Sequence, residues 1–393
     1  MASPLRPAPS PQGYALFALG FRPFFLAAGV FAVVLMGAWL LILHGRLDTG
    51  AWAGPAWHGH EMLFGFTVAV IAGFLLTAAQ NWTGLPTPSG APLAGLFLLW
   101  LAGRAGFLLP GLPPLAVALV DLAFLPLLAL TLAAPIVRAN QRRNAVFPLL
   151  LLVLAAANVL VHLEALDLAA TAGLGLHLAA YAVVGMITVI GGRVIPSFTD
   201  NRLGSRARRS KPLEILVPLV TVAALLAALA APDSWVTALL AAAACAAHGV
   251  RLAGWYTPKF WAVPLLWVLH LGYAWVPLGF ALLALAAAGV VPSTSPALHA
   301  FTAGGIGVLT LGMMARVSLG HTGRLLEAPP VMQWAFVAIN LAALIRVALP
   351  MLAPGTTLPG MIASGALWMA AFGLFVIVYA PMLLRPRADG KPG

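Results

Sequence analysis

The feature that most constrains this chain is a succession of long apolar blocks separated by short polar breaks. Many blocks reach the roughly 20 residues that an α-helix needs to cross the hydrocarbon core of a bilayer. Only 8% of the 393 residues are charged, against about 25% in soluble domains. The blocks lack strand-like alternation, which argues against a membrane β-barrel. The pattern predicts an all-α, polytopic integral membrane protein embedded in a lipid bilayer.

About twelve membrane helices fit the blocks. They are expected near residues 22–43, 58–80, 91–109, 114–137, 145–166, 172–195, 213–231, 235–252, 260–290, 296–317, 330–349 and 360–384. We expect them to form a single membrane domain over residues 14–387. Polar cytoplasmic tails are expected at 1–13 and 388–393, because the apolar run after residue 13 is too long for a signal peptide and has no small-residue cleavage site.

Basic residues divide unevenly between the two ends of the predicted helices. With both termini in the cytoplasm, every Lys and Arg lies inside except Arg46, Arg104 and Arg346. This asymmetry satisfies the positive-inside rule. The basic run from Arg202 to Lys211 is therefore interpreted as a cytoplasmic loop, and no nucleic-acid partner is expected.

Three of the predicted helices share a pattern that indicates an internal repeat. Helices 2, 6 and 10 each begin with a histidine, respectively His60, His177 and His299. The expected quasi-repeats of four helices each cover 14–143, 144–257 and 258–387, with chance similarity among apolar helices as the alternative. Ligand sites in repeat-built membrane proteins lie at repeat interfaces, so helices 2, 6 and 10 are expected to line one interior.

Histidines on several helices are the strongest indication of chemistry. Five lie within roughly two helical turns of the predicted outer face, and a sixth lies deeper; they are His58, His60, His162, His177 and His299, and His270. Neutral imidazole is the commonest metal ligand, and several imidazoles at one depth suit a haem or copper site. A single histidine is more simply an interfacial residue. His58 and His60 are two residues apart, so they face different sides of their helix.

Charged residues near the same face are candidate partners of a metal centre. Glu61 is placed either to orient a ligating imidazole or to stabilise a helix N-terminus. With Glu164 and Asp167 it also offers a proton path from the outer face. Arg104 and Arg346 are candidates to hold haem propionates, because Arg binds carboxylates bidentately; snorkelling to the membrane interface is the alternative.

Cysteine content and the distribution of acids narrow the possible sites. Cys245 is the only cysteine, which excludes an internal disulfide, an iron–sulfur cluster and a covalent c-type haem. Any metal is therefore expected on His, Met or carboxylate ligands. No carboxylate is expected near the membrane midplane, which counts against a proton-coupled transporter.

Five segments together resemble the NnrS family over nearly the whole chain. They are Gly20–Phe25, Trp57–Met62, Gly192–Pro196, His270–Trp275 and Gly320–Arg324. The resemblance implies a bacterial inner-membrane protein that contains haem, expected as haem b, and copper, and that acts in nitric oxide metabolism and resistance to nitrosative stress.

A second resemblance concerns architecture alone. The catalytic subunit of haem–copper oxidases and nitric oxide reductases also has twelve helices in three groups of four. Those enzymes carry a histidine pair on the tenth helix and copper ligands on the seventh. Here His58 and His60 lie on the second helix, and the seventh has no histidine, so only a distant architectural relation is expected.

The expected function is binding or reduction of nitric oxide at a metal site near the periplasmic face, with an electron donor that the sequence does not identify. Whether the protein is an enzyme stays open at this point. The alternatives are a non-catalytic nitric oxide scavenger or sensor, and a transporter of a metal or small molecule.

Overall fold

Twelve helices form most of the protein in a computed structural model, which describes residues 13–47, 54–106 and 111–391. They are α1 (Phe21–Leu43), α2 (Gly54–Thr83), α3 (Ala91–Gly106), α4 (Pro114–Arg138), α5 (Val146–Ala165), α6 (Ala172–Leu203), α7 (Lys211–Ala230), α8 (Trp235–Trp255), α9 (Pro264–Ala287), α10 (Ser295–His321), α11 (Pro330–Leu352) and α12 (Thr357–Leu384). Eleven are long and apolar enough to cross a bilayer, and α3 is shorter. The described ranges contain no strand, so the predicted all-α multi-pass membrane fold is confirmed.

Helices α9 and α6 illustrate how the observed helix ends depart from the expected spans. Helix α9 begins at Pro264 and not near residue 260, because a 3₁₀ turn, Pro258–Ala262, precedes it. Proline fits the first helical position, where its missing N–H is not needed. Helix α6 extends beyond residue 195 to Leu203 although Pro196 lies within it. The expected span ended at residue 195 because the apolar block ends there, and the helix continues beyond that block.

The bundle closes by packing its first helix against its last. Arg22 is buried at the start of α1, where its Nη1 donates to the carbonyl oxygens of Leu383 at 3.0 Å and Arg385 at 2.7 Å. The last carbonyls of a helix have no partner within the helix and carry partial negative charge. A guanidinium at the end of α12 satisfies them, which explains an arginine so close to the beginning of an apolar span.

The interior of the bundle is formed mainly by α2, α10, α9 and α6, whereas α7 exposes most of its surface. Small residues let these helices approach closely, as is usual between membrane helices. A Cβ atom at Gly73 of α2 would lie 2.9 Å from the Phe25 ring, and one at Gly279 of α9 would overlap the Phe301 ring of α10. Helices α2, α6 and α10 meet in the interior, where they line common cavities, as the repeat pattern predicted.

Helices α2 and α10 share an unusual local feature. Each contains a seven-residue π-helical segment directly after a histidine, Glu61–Thr67 after His60 and Ala300–Ile306 after His299. Such segments occur frequently at functional sites. Helix α6, the third helix of the predicted set, is α-helical over its whole length. The boundaries of the three quasi-repeats stay a prediction.

The orientation in the membrane also stays a prediction, and reporter fusions test it. Because basic residues collect at one end of the bundle, fusions after Arg143 and Lys211 should show a cytoplasmic reporter. A fusion after Pro292 should show a periplasmic one. This predicted periplasmic end of the bundle, where α2, α6 and α10 begin, is called the outer end. A periplasmic signal at either basic loop would contradict the predicted topology.

Candidate metal sites

The structure distributes the six candidate histidines among three places. Two belong to a buried ionic cluster, three line a cavity, and one lies at the opposite end of the bundle. They are, in that order, His60 and His162; His58, His177 and His299; and His270. The predicted set is therefore divided, although the sequence places most of it at one depth.

The first place, here called the ionic cluster, is formed where α2, α3, α4 and α5 meet near the outer end. Its members are His60, Glu61, Arg104, Asp121, Asn158 and His162, all at most 5% exposed. The π-helical segment of α2 begins at Glu61, inside the cluster. Polar side chains are expensive within a membrane and are tolerated when they pair with one another.

Asp121 lies at the centre of the ionic cluster. Its Oδ2 is 3.2 Å from Nε2 of His60 and 2.9 Å from Nε2 of His162. The amide of Asn158 donates to the same oxygen at 2.8 Å. The nitrogen and oxygen atoms of His60, Asp121 and His162 that could bind a metal ion all lie within 4.8 Å of one another. Nitrogen and oxygen ligands sit at about 2.0–2.2 Å from a metal such as zinc, so this spacing accommodates one ion with modest adjustment.

Arg104 joins the two carboxylates of the ionic cluster. It forms an ion pair with Asp121 and another with Glu61, whose Oε1 lies 3.2 Å from Nη1. Space for this arginine comes from Gly65 of α2, where a Cβ would lie 3.3 Å from the Arg104 side chain. A Cβ at Gly103 would lie 2.9 Å from Asp121. With neutral imidazoles, one guanidinium against two carboxylates leaves one negative charge, which a proton or a cation must balance.

His60 lies between oxygen atoms of the ionic cluster. Its Nδ1 lies 2.9 Å from Oε1 of Glu61, and its Nε2 lies 2.9 Å from Oδ1 of Asn158. Both nitrogens thus face oxygen acceptors, whereas a neutral imidazole has a single N–H. A proton on Glu61, a second proton on the ring, or a cation on Nε2 with Nδ1 donating to Glu61 would each satisfy these distances. Glu61 therefore contacts an imidazole, and its role in orienting a metal ligand stays a prediction.

The second place, here called the histidine cavity, has a volume of about 470 Å³. Helices α1, α2, α6, α10, α11 and α12 line it. Most of the lining is apolar, with aromatic side chains from Trp39, Phe66 and Trp368. Its basic side chains are His58, His177, His299 and Arg346.

The three imidazoles of the histidine cavity retain capacity to bind a ligand. Nδ1 of His299 bonds to the carbonyl of Ser295, and Nδ1 of His177 to that of Gly173, both at 2.8 Å. These bonds assign the proton to Nδ1 and leave the Nε2 lone pair available. His58 stacks on Trp39 with ring centroids 4.5 Å apart, and its Nδ1 is buried without a hydrogen-bond partner among the described residues.

The two arginines predicted to hold haem propionates have different surroundings. Arg346 lines the histidine cavity close to His58 and His299. Arg104 lies in the ionic cluster, where its guanidinium forms ion pairs with carboxylates of the protein itself. The propionate role of both arginines stays a prediction.

The remaining predicted acids lie in the last turn of α5 and in the loop that follows it, as Glu164 and Asp167 respectively. Glu164 accepts a hydrogen bond from the backbone N–H of Ala172 at 2.8 Å, at the first residue of α6. An acidic group there stabilises the helix N-terminus. Asp167 occupies a turn with φ +56°. A proton path through these two residues stays a prediction.

His270 is not brought together with the other five histidines. It lies near the beginning of α9, its Nδ1 bonds to the carbonyl of Leu266 at 3.0 Å, and its ring stacks on Phe260 with centroids 4.2 Å apart. The last residues of α9 and the first residues of α10 lie at the same, outer end of the bundle. His299 is near that end, whereas His270 is near the beginning of α9 and so lies toward the opposite end.

Asp121 and Asn158 belong to the candidate site, but the sequence argument did not select them. Asn158 stands four residues before His162 on the same helix face, and Asp121 is an acid inside an apolar span. An acid inside an apolar span needs a polar partner, and this is the sequence signal that could have identified Asp121. Its partners lie on α2, α3 and α5, and the relative rotation of those helices is a property of the packing.

Comparison with known proteins agrees with this architecture. The profile of the family described as NnrS protein matches residues 15–387, nearly the whole chain. No curated protein sequence matches significantly. The match includes every described helix, the ionic cluster and the histidine cavity, and the chain accordingly belongs to the NnrS protein family.

Proposed function

We propose that the protein binds haem b in the histidine cavity and copper in the ionic cluster, and that nitric oxide binds at the haem iron. Membership of the NnrS family suggests a membrane protein of the nitric oxide response. The observation that carries the proposal is the separation of five imidazoles into two adjoining groups, three around a cavity and two on one carboxylate oxygen. Two such places suit two different metal centres.

The residues of the histidine cavity fit a haem. Its volume of about 470 Å³ lies within the roughly 300–1,000 Å³ typical of cofactor sites. Aromatic walls suit a flat macrocycle, and imidazoles on α2, α6 and α10 offer ligands from different sides. The unpartnered Nδ1 of His58 is the kind of buried polar atom that a ligand would satisfy. Arg346 is the propionate partner that the cavity offers.

The residues of the ionic cluster fit copper. Two imidazoles and a carboxylate form a nitrogen and oxygen ligand set that suits the oxidised ion. Glu61 would hold the proton on Nδ1 of His60 and so present Nε2 to the ion. The positive charge of the ion would also offset the negative charge that Arg104 leaves uncompensated.

When bound, haem would supply an iron that binds nitric oxide, and copper would supply a second redox centre. The side chains of this protein then perform three tasks. Trp39, Phe66 and Trp368 keep water from the cavity. Arg346 places a positive charge beside it. Glu61 and Asp121 hold protons or charge close to the outer end of the bundle.

A visible spectrum and metal analysis of the purified protein test this proposal. We expect a haem b spectrum, copper in the same preparation, and a shift of the haem bands when nitric oxide is added. Steady consumption of nitric oxide with an added electron donor would assign an enzymatic role, and a single stoichiometric uptake would assign a scavenger. Protein free of haem and copper after growth with both would refute the proposal.

Substitution of the arginines separates their roles. In Arg346→Lys, haem content should fall or the haem reduction potential should shift, because an ammonium cannot reproduce the planar fork of a guanidinium. Arg104→Lys should instead reduce copper content, since Arg104 contacts Glu61 and Asp121. Exposed Arg46→Lys is the matched control. Unchanged haem in Arg346→Lys would identify Arg346 as an interface anchor.

A further inference from the structure

Two further cavities continue the histidine cavity along the bundle. The middle cavity, about 90 Å³, lies between α2, α6 and α10 with Phe25 of α1 at its side. The inner cavity, about 290 Å³, lies between the inner ends of the same three helices and α5. All three cavities thus lie between the helices that the sequence pattern related to one another.

Shared lining residues show that the three cavities are contiguous. Thr67 and Ile306 line both the histidine cavity and the middle cavity. Phe74, Ile190 and Val194 line both the middle cavity and the inner cavity, and so does Met313. The shared side chains therefore lie between neighbouring cavities, and side-chain rotations of the kind that occur in folded proteins would join them.

The wall of the middle cavity is apolar. It consists of aliphatic, aromatic and methionine side chains, one glycine, and the threonines Thr67 and Thr310. The hydroxyl of Thr67 donates to the carbonyl of Met62 at 2.7 Å, and that of Thr310 to the carbonyl of Gly307 at 3.0 Å. Both threonine hydroxyls thus donate to carbonyl groups within their own helices.

The inner cavity has a different chemistry. Arg193, Asn81 and His321 line it together with aromatic rings, of which Trp82 and Phe147 stack with centroids 5.0 Å apart. Polar side chains thus stand at both ends of the row of cavities, and an apolar section separates them. An ion or a hydrated proton would lose its solvation in that section at a cost of many kcal/mol.

We propose that these cavities form an internal passage for small, neutral, apolar molecules of the size of a diatomic gas, between the inner cavity and the histidine cavity. The middle cavity is large enough for such a molecule and has no groups to hold water or ions, and dry apolar cavities bind xenon or benzene. The existence of the passage does not depend on a bound metal. Its use for nitric oxide rests on the proposed function.

Xenon tests the passage directly. In crystals of the full-length protein pressurised with xenon, we expect anomalous scattering from xenon in the middle cavity. Val194→Phe places a ring where the middle and inner cavities meet and should abolish that site; Ile190→Phe is a second variant of the same kind. Val222→Phe is the control, since Val222 is exposed on α7. Absence of xenon in the unmodified protein, or its retention in both cavity variants, would overturn the proposal.

The kinetics of nitric oxide rebinding and escape test the use of the passage separately from the binding of haem. After photolysis of the nitric oxide complex, Val194→Phe should increase rebinding from within the protein and slow escape severalfold relative to Val222→Phe. Equal escape in the two variants would overturn the role in delivery. A protein without haem would refute the proposed function, and the xenon measurement would still decide whether the passage exists.

Discussion

Asp121→Ala is expected to lower the free energy of unfolding by about 3–5 kcal/mol, the usual cost of breaking a buried ion pair from one side. Asp121 is 5% exposed and Arg104 is 1% exposed. Removal of the carboxylate takes the common partner away from His162, Asn158 and Arg104. Copper content should fall as well, because one predicted ligand is lost.

Denaturant unfolding in detergent micelles measures this effect, and the protein supplies a matched control. Glu327 forms an ion pair with Arg202 at 3.1 Å, but these side chains are 64% and 45% exposed. Exposed pairs contribute about 0–1 kcal/mol, so Glu327→Ala should be nearly neutral. If Asp121→Ala were no more destabilising than Glu327→Ala, the ionic cluster would not contribute to stability as argued.

Loss of haem is the second large effect, expected in His58→Ala and His299→Ala. These imidazoles line the same cavity from α2 and α10, and removal of a group that only orients a metal ligand already lowers metal affinity by about 10–100-fold. Each variant should therefore retain at most a small fraction of the haem of the unmodified protein. Copper should remain, because the ionic cluster is untouched.

The complementary variant is His60→Ala, which should lose copper and keep haem. His44→Ala is the matched control: its Nδ1 bonds to the carbonyl four residues earlier, as His299 does, but it lies outside both sites. The haem-to-protein ratio from a pyridine haemochrome assay, with copper measured on the same samples, decides the result. Unchanged haem in both cavity variants would exclude these histidines as haem ligands.

Much of the fold follows from local properties of the sequence. A helix that crosses a bilayer must be apolar over roughly 20 residues, so span positions can be predicted without knowledge of neighbouring helices. The correspondence between expected and observed helices reflects this. The depth of His60, His162 and His299 is equally local, since it needs only the count of residues from a helix end.

The arrangement around each helix axis is decided by tertiary packing. His58 and His60 stand two residues apart and hence on different sides of α2, a difference that the sequence already indicates. The direction that each one faces depends on which helices surround α2. His60 meets Asp121 of α4 and His162 of α5 in the ionic cluster, and His58 faces the cavity that α10 helps to enclose.

Apolar helices pack through similar small residues on several faces, so the sequence alone determines spans, depth and ligand types. The division into two sites arises only from the rotation of each helix against its neighbours, because close packing and the pairing of buried charges allow few such rotations.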